Sequence, residues 1–592
     1  MAQITKDQIV DTLESIARLL ELKGENLFKI RAYTNAARAL EIFTGDLAQM
    51  SAEDRLGEIP GVGKAITEKI GELLATGELA FYIKLKAEFP AGLFDLFELQ
   101  GLGPKKIKAV WEKLGVTSVL ELEAACKDGR VAELAGFGKK TADNILAAID
   151  VRSRHAGRFR VGDIAFDAER MLGDLKECEG VLRACIAGSY RRRKEIVGDL
   201  DFIVATNQPA EVSDFFVGHP MVESVIVHGA TKSSVRFKSG IQADLRVVKS
   251  PEYPFALNYF TGSKEHNILM RSRALARGWT LNEYRLEEVS KVEGRKSKAE
   301  AQPIPPIYDE RDLYRALDLD YIEPELRESR GEFEAAEKHT LPDLIEIENL
   351  RGTFHNHTTA SDGRATLLEM VDAAQELGLQ YLGIADHSKS SFQAHGLDAE
   401  RLLAQVAEIH ELNKSFDGHF RIFAGTECDV LKDGTLDFPD EVLAQLDYVV
   451  ASVHASFTMP EAEMTERIIR AISNPYVTML GHLTGRILLS RESYAVNVPA
   501  VLEAAAATGT MIELNASPWR LDMDWRWWPL AKEKGVRCVI NPDAHHAKQL
   551  NNLWFGVGAA RKGWLTKGDV VNCLPLGKIE AELARKRNAV KG

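Results

Sequence analysis

The amino-terminal part of the chain has apolar residues at helical spacing. Within the first twenty positions they recur every three or four residues: Ile9, Leu13, Ile16, Ala17 and Leu20. A second stretch, rich in Ala, Arg and Leu, follows at residues 31–43. Apolar positions on this period form one face of an amphipathic helix. We therefore expect residues 1–80 to be helical.

The pattern changes to that of strands after residue 156. Short apolar runs at residues 202–204 and 242–248 predict neighbouring strands of a mixed sheet with helices on one side. After residue 350, strand-like runs alternate with helical segments at residues 367–377, 399–412, 461–473 and 498–508. A regular β/α repeat of this kind predicts a barrel whose strands present their terminal polar residues at one mouth.

Three similar units in the first 150 residues each place Gly-x-Gly between an apolar lead-in and a helix. They lie at residues 59–66, 99–107 and 134–141. Glycines allow a tight hairpin, and amides at a helix N-terminus can bind a phosphate. One unit could be a simple helix–helix turn, whereas three with the same apolar frame argue against a role in packing alone. The units resemble the helix-hairpin-helix, a sequence-independent binder of the DNA backbone. The resemblance implies these DNA-binding residues: Gly61, Gly63, Gly101, Gly103, Lys105, Gly136, Gly138 and Lys139.

An Asp-x-Asp pair begins the first of the two predicted strands. Asp199 and Asp201 lie two residues apart, so their carboxylates point to the same face of the strand. Like charges this close are unfavourable unless a cation lies between them, and Mg²⁺ prefers such oxygen ligands. The pair alone is also typical of a solvated hairpin. A third carboxylate, Asp244, on the second strand favours a two-metal site for phosphoryl or nucleotidyl transfer.

Histidines and carboxylates follow successive strand-like runs in the last third of the chain. They are His355, His357, His387, Glu427, His454, His482, Asp543 and His545. A single histidine in a core is usually structural, but this number at successive strand ends predicts a metal cluster. Mixed imidazole and carboxylate ligands suit Mn²⁺, Zn²⁺ or Fe²⁺, and the sequence does not choose among them.

Composition limits the remaining possibilities. A chain of 592 residues predicts two to four domains. Six cysteines without a Cys-x-x-Cys pair indicate reduced thiols and a cytosolic protein. The start lacks a signal peptide pattern, and no run of about 18 apolar residues predicts a membrane span. The net charge of −13 argues against simple wrapping of nucleic acid, although local basic patches remain compatible with DNA binding.

Five motifs follow one another along the chain: Gly-Ser, Arg, Asp-x-Asp, Asp and Tyr-Phe-x-Gly-Ser. Their order resembles the nucleotidyltransferase core of family X DNA polymerases, and the resemblance covers roughly residues 1–320. The resemblance implies that Asp199 and Asp201 bind two Mg²⁺ (or Mn²⁺) ions and that Asp244 binds the ion that activates the primer 3′-hydroxyl. It also implies a set of nucleotide and template contacts: Ser189 and Arg192 on the phosphates, Gly198 by its amide, Tyr259, Phe260 and Gly262 near the ribose, Asn267 at the minor-groove edge and Arg271 on the template.

The Gly-x-Gly units resemble helix-hairpin-helix motifs, which often hold a monovalent cation with hairpin carbonyls. The first unit also resembles the small amino-terminal domain of DNA polymerase beta. That resemblance makes Lys69 a candidate Schiff-base nucleophile for a 5′-deoxyribose phosphate, with Lys29 and Tyr33 as phosphate contacts. An exposed helical lysine with no such role is an equally good interpretation of Lys69.

The histidine pattern resembles the polymerase and histidinol phosphatase (PHP) family over about residues 350–580. That family has a distorted seven-stranded β/α barrel that holds two to three metal ions and hydrolyses phosphoesters. The resemblance adds Asp362 to the metal ligands and gives Asp386 the role of orienting a ligand. Lys432 and Arg486 are candidate phosphate contacts.

Together these features predict a multidomain α+β and α/β protein. The expected parts are a helical domain (residues 1–80), a helix-hairpin-helix subdomain (81–155) and a palm (156–255). They continue with a thumb-like nucleotide-selection subdomain (256–319), a linker (320–346) and a PHP barrel (347–592). The predicted function is short-gap filling in base excision repair on gapped or primer-template DNA with dNTPs. A metal-dependent 3′–5′ exonuclease, with 3′-phosphatase or AP endonuclease as further activities, is expected in the PHP domain.

Two alternatives remain open at the level of sequence. The PHP domain could be a small-molecule phosphoesterase of the histidinol-phosphatase kind, or the chain could be a DNA-end-binding scaffold with idle sites. The complete carboxylate and histidine sets speak against the scaffold. We expect a monomer in the cytoplasm, associated with the nucleoid and not with a membrane.

Overall fold

The computed structural model describes residue 4 and residues 6–43, 47–99, 102–154, 157–289 and 303–591. The chain divides into two compact units, Met1–Ala156 and Gly157–Gly592. Among the described residues, no helix combines the length and the apolar character needed to cross a membrane.

The first unit is helical, as the sequence predicts. The apolar stripe of its first helix is buried, with Ile9, Leu13 and Ile16 inaccessible to solvent. Gly63 and Gly103 are the N-caps of two later helices, so each Gly-x-Gly turn leads directly into a helix. The helices are α1 (Lys6–Lys23), α2 (Leu27–Ile42), α3 (Leu47–Ala52), α4 (Lys64–Thr76), α5 (Ala80–Ala87), α6 (Pro104–Leu114), α7 (Val119–Lys127), α8 (Arg130–Glu133) and α9 (Gly138–Arg154).

The second unit begins with a five-stranded mixed sheet in the order β2-β4-β7-β6-β5. Strands β4 and β7 run parallel, and the other neighbours are antiparallel. The elements are β1 (Phe159–Arg160), α10 (Val161–Glu177), β2 (Val181–Ile186), α11 (Gly188–Arg191), β3 (Ile196–Val197), β4 (Asp199–Thr206), α12 (Pro209–Val217), β5 (Val222–Val227), β6 (Lys232–Phe237) and β7 (Gln242–Val248).

Both faces of this sheet are covered, which differs from the expectation of helices on one side. Phe202 and Val204 on β4 face the large core that α10 and α12 share. Ile203, the residue between them, faces a smaller core formed with Tyr253 and Leu257. The second cover is the helix Tyr253–Thr261, which the predicted boundary after residue 255 divides between two subdomains. Its apolar residues bury the alternate positions of β4.

The next region contains α13 (Tyr253–Thr261), α14 (Lys264–Ala276), β8 (Trp279–Leu281), β9 (Leu286–Glu288), α15 (Glu310–Ala316) and α16 (Glu332–Glu337). Residues 320–346, the predicted linker, are α-helical only in α16. Their apolar residues Ile322, Leu326 and Phe333 pack with Trp279 and Leu313 in one core. This segment is therefore part of the folded region and not an exposed tether.

The remaining strands form two parallel sheets, β10-β11-β12 and β13-β14-β15-β16-β17. Isolated parallel bridges, His387 with Glu427 and Asn356 with Ala544, join them. Closure into a seven-stranded barrel stays a prediction. The strands are β10 (Gly352–Thr353), β11 (Tyr381–Ile384), β12 (Arg421–Ala424), β13 (Glu427–Asp429), β14 (Val450–Ser452), β15 (Met479–Leu480), β16 (Met511–Asn515) and β17 (Cys538–Asn541).

Helices alternate with these strands, and the four helical segments predicted after residue 350 are confirmed with shifts of one residue at most at each end. The helices are α17 (Leu367–Glu376), α18 (Ala399–Asn413), α19 (Asp440–Leu443), α20 (Glu461–Ile472), α21 (Val498–Thr508), α22 (Trp528–Glu533), α23 (Leu553–Lys562) and α24 (Leu576–Lys591). The histidines and carboxylates of interest follow the carboxyl ends of the strands, where parallel β/α folds place their active sites.

Candidate metal centres

The first candidate centre lies on the two parallel strands β4 and β7. Their register pairs Asp201 with Asp244 and Asp199 with Gln242. Gln242 Nε2 donates a hydrogen bond to Asp244 Oδ1 at 2.9 Å. The structure thus brings the three predicted carboxylates together at one end of the sheet.

The electrostatics of these carboxylates favour a bound cation. Burial raises the pKa of Asp201 to about 7, and the neighbouring charges of Asp199 and Asp244 add to the effect. Burial and Asp244 also raise the pKa of Asp199. Asp199 and Asp201, whose pKa values are raised beside Asp244, match the requirements of a divalent metal site, because a cation between the three carboxylates removes the repulsion.

The predicted phosphate contacts lie on the loop that precedes β4. Gly188, with φ +63°, approaches Asp201 so closely that a Cβ at this position would overlap its carboxylate. Ser189 is in the short helix α11, and Gly198 is exposed immediately before β4. The guanidinium of Arg192 donates from Nε to Glu328 Oε1 at 3.1 Å and from Nη1 to the carbonyl of Thr261.

The predicted nucleotide-selection residues lie at the junction of α13 and α14. The rings of Tyr259 and Phe260 meet edge to face, with centroids 5.2 Å apart. A Cβ on Gly262 would lie 3.2 Å from Arg192 Nη1. Asn267 Nδ2 donates to the carbonyl of Tyr259 at 2.7 Å, and Arg271 is exposed on α14.

The glycines of the first unit are at its surface. A Cβ on Gly63, Gly103, Gly136 or Gly138 would meet no heavy atom within 4 Å. Gly61 has φ +90°, which favours glycine at this turn. The predicted basic contacts Lys105 and Lys139 are exposed, whereas Gly101 lies outside the described residues. An approaching phosphate backbone therefore has free access to the helix starts that are described.

Lys69 is half-buried on α4, near the ring of Phe81. Its Nζ lies 5.1 Å from the ring centroid and donates to the carbonyl of Ala65 at 2.9 Å. Tyr33 is only 4% exposed and stacks on Phe81, so it belongs to the core and is not an open phosphate contact. Lys29 pairs with Glu25 at 2.7 Å.

The second candidate centre surrounds Glu427 at the ends of the parallel strands. Its carboxylate oxygens lie 2.9 Å from His482 Nε2, 2.9 Å from His387 Nδ1, 3.2 Å from His454 Nε2 and 3.3 Å from His355 Nε2. Several overlapping groups of these side chains have ligand atoms close enough to bind one metal ion. Together the groups comprise all nine predicted ligands: His355, His357, Asp362, His387, Glu427, His454, His482, Asp543 and His545.

Several imidazole nitrogens in this cluster are buried and have no hydrogen-bond partner among the residues that the structure describes. They include both ring nitrogens of His357, Nε2 of His355 and Nδ1 of His482. Buried polar atoms without a partner are costly and rare. Coordination to metal ions would satisfy them, so the donor set fits the metals that the sequence implies.

Charge in the cluster is shared between acids and imidazoles. Burial opposes ionisation of Glu427 and Asp543, but His355 and its neighbours hold the pKa of both carboxyls well below its usual range. Burial alone would lower the pKa of His355, whereas Glu513, Glu427 and Asp543 together raise it. The cluster therefore keeps its carboxylates ionised and available as ligands.

Two carboxylates that the sequence analysis missed hold the ligands in place. Glu513 Oε1 lies 2.7 Å from His355 Nδ1, and Asp429 Oδ1 lies 2.7 Å from His454 Nδ1. The sequence signal that could have identified Glu513 is its position as a charged residue inside the otherwise apolar strand β16. Asp386, predicted to orient a ligand, accepts hydrogen bonds from Thr358, Ser361 and Gln405. It thereby fixes the loop that leads to Asp362.

A cavity of about 720 Å³ opens beside the cluster. Asp362, His387 and His454 line it together with Lys432 and Phe392, and Phe392 is 86% exposed. The cavity is large enough for a nucleotide.

Two arginines near the cluster have different surroundings. All three guanidinium nitrogens of Arg486, a predicted phosphate contact, donate hydrogen bonds. Their acceptors are Asp524 and the carbonyls of Arg520 and Leu521, so the group is not open to a ligand. Arg520 was not predicted. Its Nε lies 3.6 Å from Asp543 Oδ2, and its buried Nη1 has no hydrogen-bond partner among the described residues. Arg520 is the better placed of the two to bind a phosphate.

Four family models match the chain. They are the DNA polymerase beta thumb at residues 256–328, the helix-hairpin-helix domain at 4–79, the SAM-like helix-hairpin-helix tandem at 94–150 and the PHP domain at 353–517.

Three relatives indicate how these parts combine. The DNA polymerase/3′–5′ exonuclease PolX of Bacillus subtilis is 40% identical over 98% of this chain and 99% of its own length. DNA polymerase lambda of Rattus norvegicus is 25% identical over 54% of this chain and 56% of its own. A probable phosphatase of Thermoanaerobacter sp. is 29% identical over 40% of this chain and 96% of its own.

Proposed function

The chain belongs to the PolX family of DNA polymerase/3′–5′ exonucleases, and we propose that its two donor clusters are two separate active sites, one extending and one shortening DNA 3′ ends. The observation that carries this proposal is the completeness of both clusters in a single chain. Asp199, Asp201 and Asp244 share one end of a sheet, and all nine histidine and carboxylate ligands converge in the PHP domain.

In the polymerase site, two Mg²⁺ or Mn²⁺ ions held by the three aspartates would activate the primer 3′-hydroxyl and stabilise the charge of the phosphates. The side chains around them position the dNTP. Ser189 and Arg192 bind the β- and γ-phosphates, because a guanidinium suits bidentate contact with phosphate. The backbone at Tyr259 and Phe260 crowds a ribose 2′-hydroxyl, and Asn267 tests the minor-groove edge of the new pair.

In the PHP site, two to three Mn²⁺, Zn²⁺ or Fe²⁺ ions would supply the Lewis-acid chemistry that activates a water and stabilises the leaving oxygen. The chain itself fixes the ligands and binds the substrate. Glu513 and Asp429 orient His355 and His454. Arg520 binds a phosphate oxygen of the DNA, and 3′-phosphate removal or incision at abasic sites would use the same residues.

The first unit holds the DNA backbone at its helix starts, with a monovalent cation at the hairpins. Lys69 remains the candidate lyase nucleophile. The domain boundaries after residues 80, 155, 255, 319 and 346 are part of this proposal. The protein would act as a cytoplasmic, nucleoid-associated monomer that fills short gaps during base excision repair.

A 5′-labelled primer on a one-nucleotide gap tests the two sites, with Mg²⁺ or Mn²⁺, with and without dNTPs. Wild type should extend the primer with dNTPs and shorten it without them. The double variant His355→Ala/His357→Ala should extend only. If wild type extends but never shortens the primer, the exonuclease assignment is wrong. If shortening survives in the double variant, the PHP cluster is not its source.

A small-molecule phosphatase is the second candidate function of the PHP domain. The match with the Thermoanaerobacter probable phosphatase covers nearly the whole length of that relative, which favours a phosphatase function. Release of phosphate from histidinol phosphate and from a 3′-phosphorylated primer should be compared at equal enzyme concentration. Faster turnover of histidinol phosphate would support the second candidate, whereas turnover of the DNA end alone would exclude it.

A further inference from the structure

The loop that carries the predicted triphosphate contacts is packed against the PHP domain. The guanidinium of Arg193 stacks on Trp554 at 3.7 Å from the ring centroid. Glu195 accepts hydrogen bonds from Trp525 Nε1 and Arg526, each at 3.2 Å. Residues 193–195 are thus anchored at both ends by side chains of the metal-dependent domain that lie more than 300 residues later in the sequence.

Lys562, the last residue of α23 in the PHP domain, reaches into the same contact. Its side chain is completely buried, and its Nζ donates to Glu328 Oε1 at 2.6 Å and to the carbonyl of Arg192 at 3.0 Å. The Nζ also lies 4.6 Å from the centroid of the Trp525 ring. A buried ammonium is costly unless it is paired, so these contacts are the reason that it can be retained.

Glu328 links Lys562 to the nucleotide loop. Its carboxylate accepts from Arg192 Nε at 3.1 Å and lies 3.6 Å from Lys194 Nζ. Burial opposes its ionisation, but Lys562 and Arg192 lower the pKa of Glu328 to about 2. The carboxylate is therefore charged at neutral pH and fixes the direction of the Arg192 guanidinium.

We propose that Lys562 is a positioning residue of the polymerase site: it holds Glu328 and the Arg192 backbone so that Arg192 faces the incoming triphosphate. The proposal rests on the assignment of Arg192 to the nucleotide phosphates. It gives the PHP domain a part in nucleotide binding that is independent of its own metals.

The balance of charge explains why a lysine is needed at this point. Three cations, Arg192, Lys194 and Lys562, face the single carboxylate of Glu328. These four side chains consequently keep a net positive charge that attracts a triphosphate, even though one of them is the carboxylate that orients Arg192. Without Lys562, Glu328 would repel the triphosphate more strongly and would bind Arg192 more tightly in competition with it.

The test replaces the ammonium by an uncharged chain of similar length, Lys562→Met, in the full-length protein. We expect the KM for the dNTP in gap filling to rise about tenfold, with kcat changed less than about threefold. Primer shortening without dNTPs should be unchanged, which shows that the PHP domain is still folded. If Lys562→Met does not accumulate as folded protein, Lys562→Gln replaces it, because it removes the charge and keeps a donor.

Lys586 provides a matched control. It is also a lysine of the PHP domain whose ammonium is enclosed by acceptors, namely the carbonyls of Ile472 and Val477 and the hydroxyl of Thr510. None of these acceptors belongs to the polymerase half. Lys586→Met should lower thermal stability and leave the KM for the dNTP at the wild-type value. An equal rise of KM in both variants would mean that loss of a buried lysine acts through general destabilisation.

A double variant separates positioning from packing. Lys562→Met/Glu328→Gln removes the unpaired carboxylate and leaves Arg192 with a neutral acceptor, so the KM should return to within about threefold of wild type. A double variant as defective as Lys562→Met, or worse, would overturn the proposal, as would an unchanged KM in Lys562→Met. If wild type itself incorporates no nucleotide, the proposed polymerase function fails instead, and the two failures are thereby distinguished.

Discussion

Glu513 Oε1 lies 2.7 Å from Nδ1 of His355, and both side chains are inaccessible to solvent. The second carboxylate oxygen of Glu513 accepts a hydrogen bond from the backbone amide of His482 at 2.7 Å. One carboxylate on β16 therefore orients two predicted metal ligands and leaves Nε2 of His355 directed at Glu427. The geometry of the PHP cluster depends on a residue that is not itself one of the predicted ligands.

Replacing Glu513 by Gln should lower metal content and primer shortening together. The amide is neutral and lacks the charge that fixes the His355 tautomer. At comparable sites, loss of such a partner lowers metal affinity or activity about 10- to 100-fold. Bound metal is measured by mass spectrometry, and shortening is measured on a labelled primer. Glu503→Gln, at an exposed glutamate on α21, is the matched control. Shortening at the wild-type rate with full metal content would show that Glu513 is dispensable.

Replacing Asp201 by Asn should abolish nucleotide addition. Asp201 is paired with Asp244 in the β4–β7 register, so one substitution removes a carboxylate from the centre of the cluster. We expect incorporation to fall by at least about a thousandfold, because the metals would lose a charged ligand. DNA binding and primer shortening serve as controls and should persist. Incorporation within tenfold of wild type would mean that these aspartates are not the metal site.

The raised pKa of Asp201 predicts a pH-dependent requirement for Mg²⁺. Burial brings this pKa to about 7 in the metal-free protein, so the carboxyl is mostly protonated below pH 7 and ionised above it. A metal must displace that proton, and the Mg²⁺ concentration for half-maximal incorporation should increase as pH falls from 8 to 6, approaching about tenfold per unit below 7. The rate at saturating Mg²⁺ provides the control. A half-maximal concentration independent of pH would contradict the raised pKa.

Local patterns were enough to predict the elements that carry both centres. Short apolar runs after Asp199 and around Asp244 predicted β4 and β7, and the helical segments between strand-like runs predicted α17, α18, α20 and α21. These patterns suffice because an apolar run or an apolar helical face is local, so it can be read within a short window of the sequence.

The supporting contacts could not be predicted in the same way. Glu513 meets His355 across 158 positions of sequence, and Lys562 meets Glu328 across 234. Such pairs depend on strand register and domain packing, which no single window records. The same limit explains why Arg486 was predicted as a phosphate contact and Arg520 was not. Only the fold shows that Asp524 already binds the Arg486 guanidinium.

Replacing Phe392 by Ala should weaken recognition of DNA 3′ ends in the PHP site. A phenyl ring that is 86% exposed beside the metal-ligand cavity can stack on a terminal base, a contact worth roughly 1–3 kcal/mol. The KM for shortening a single-stranded primer should therefore rise by about fivefold or more. Metal content and hydrolysis of a small phosphate ester should not change. Leu368→Ala, at another exposed apolar residue of this domain, is the control. Equal KM values for Phe392→Ala and wild type would exclude stacking.

Replacing Arg520 by Gln should impair phosphate binding without removing the metals. Nη1 of Arg520 is buried and has no hydrogen-bond partner in the described part of the chain. Its Nε lies 3.6 Å from Asp543, so the guanidinium can reach a phosphate bound at the cluster. We expect kcat/KM for shortening to fall about 100-fold, with partial recovery in Arg520→Lys, which keeps the charge but lacks the planar fork.

Binding of a fluorescent 3′-end oligonucleotide with Ca²⁺ provides a readout for Arg520 besides turnover, and it should weaken in parallel. Added guanidinium ion should restore part of the activity of Arg520→Gln, because the replaced group can then occupy the space beside Asp543. A loss of bound metal in Arg520→Gln, with no response to guanidinium, would show instead that Arg520 acts by holding Asp543 in position. Nucleotide addition at the aspartate centre is the internal control, since that site does not contain Arg520.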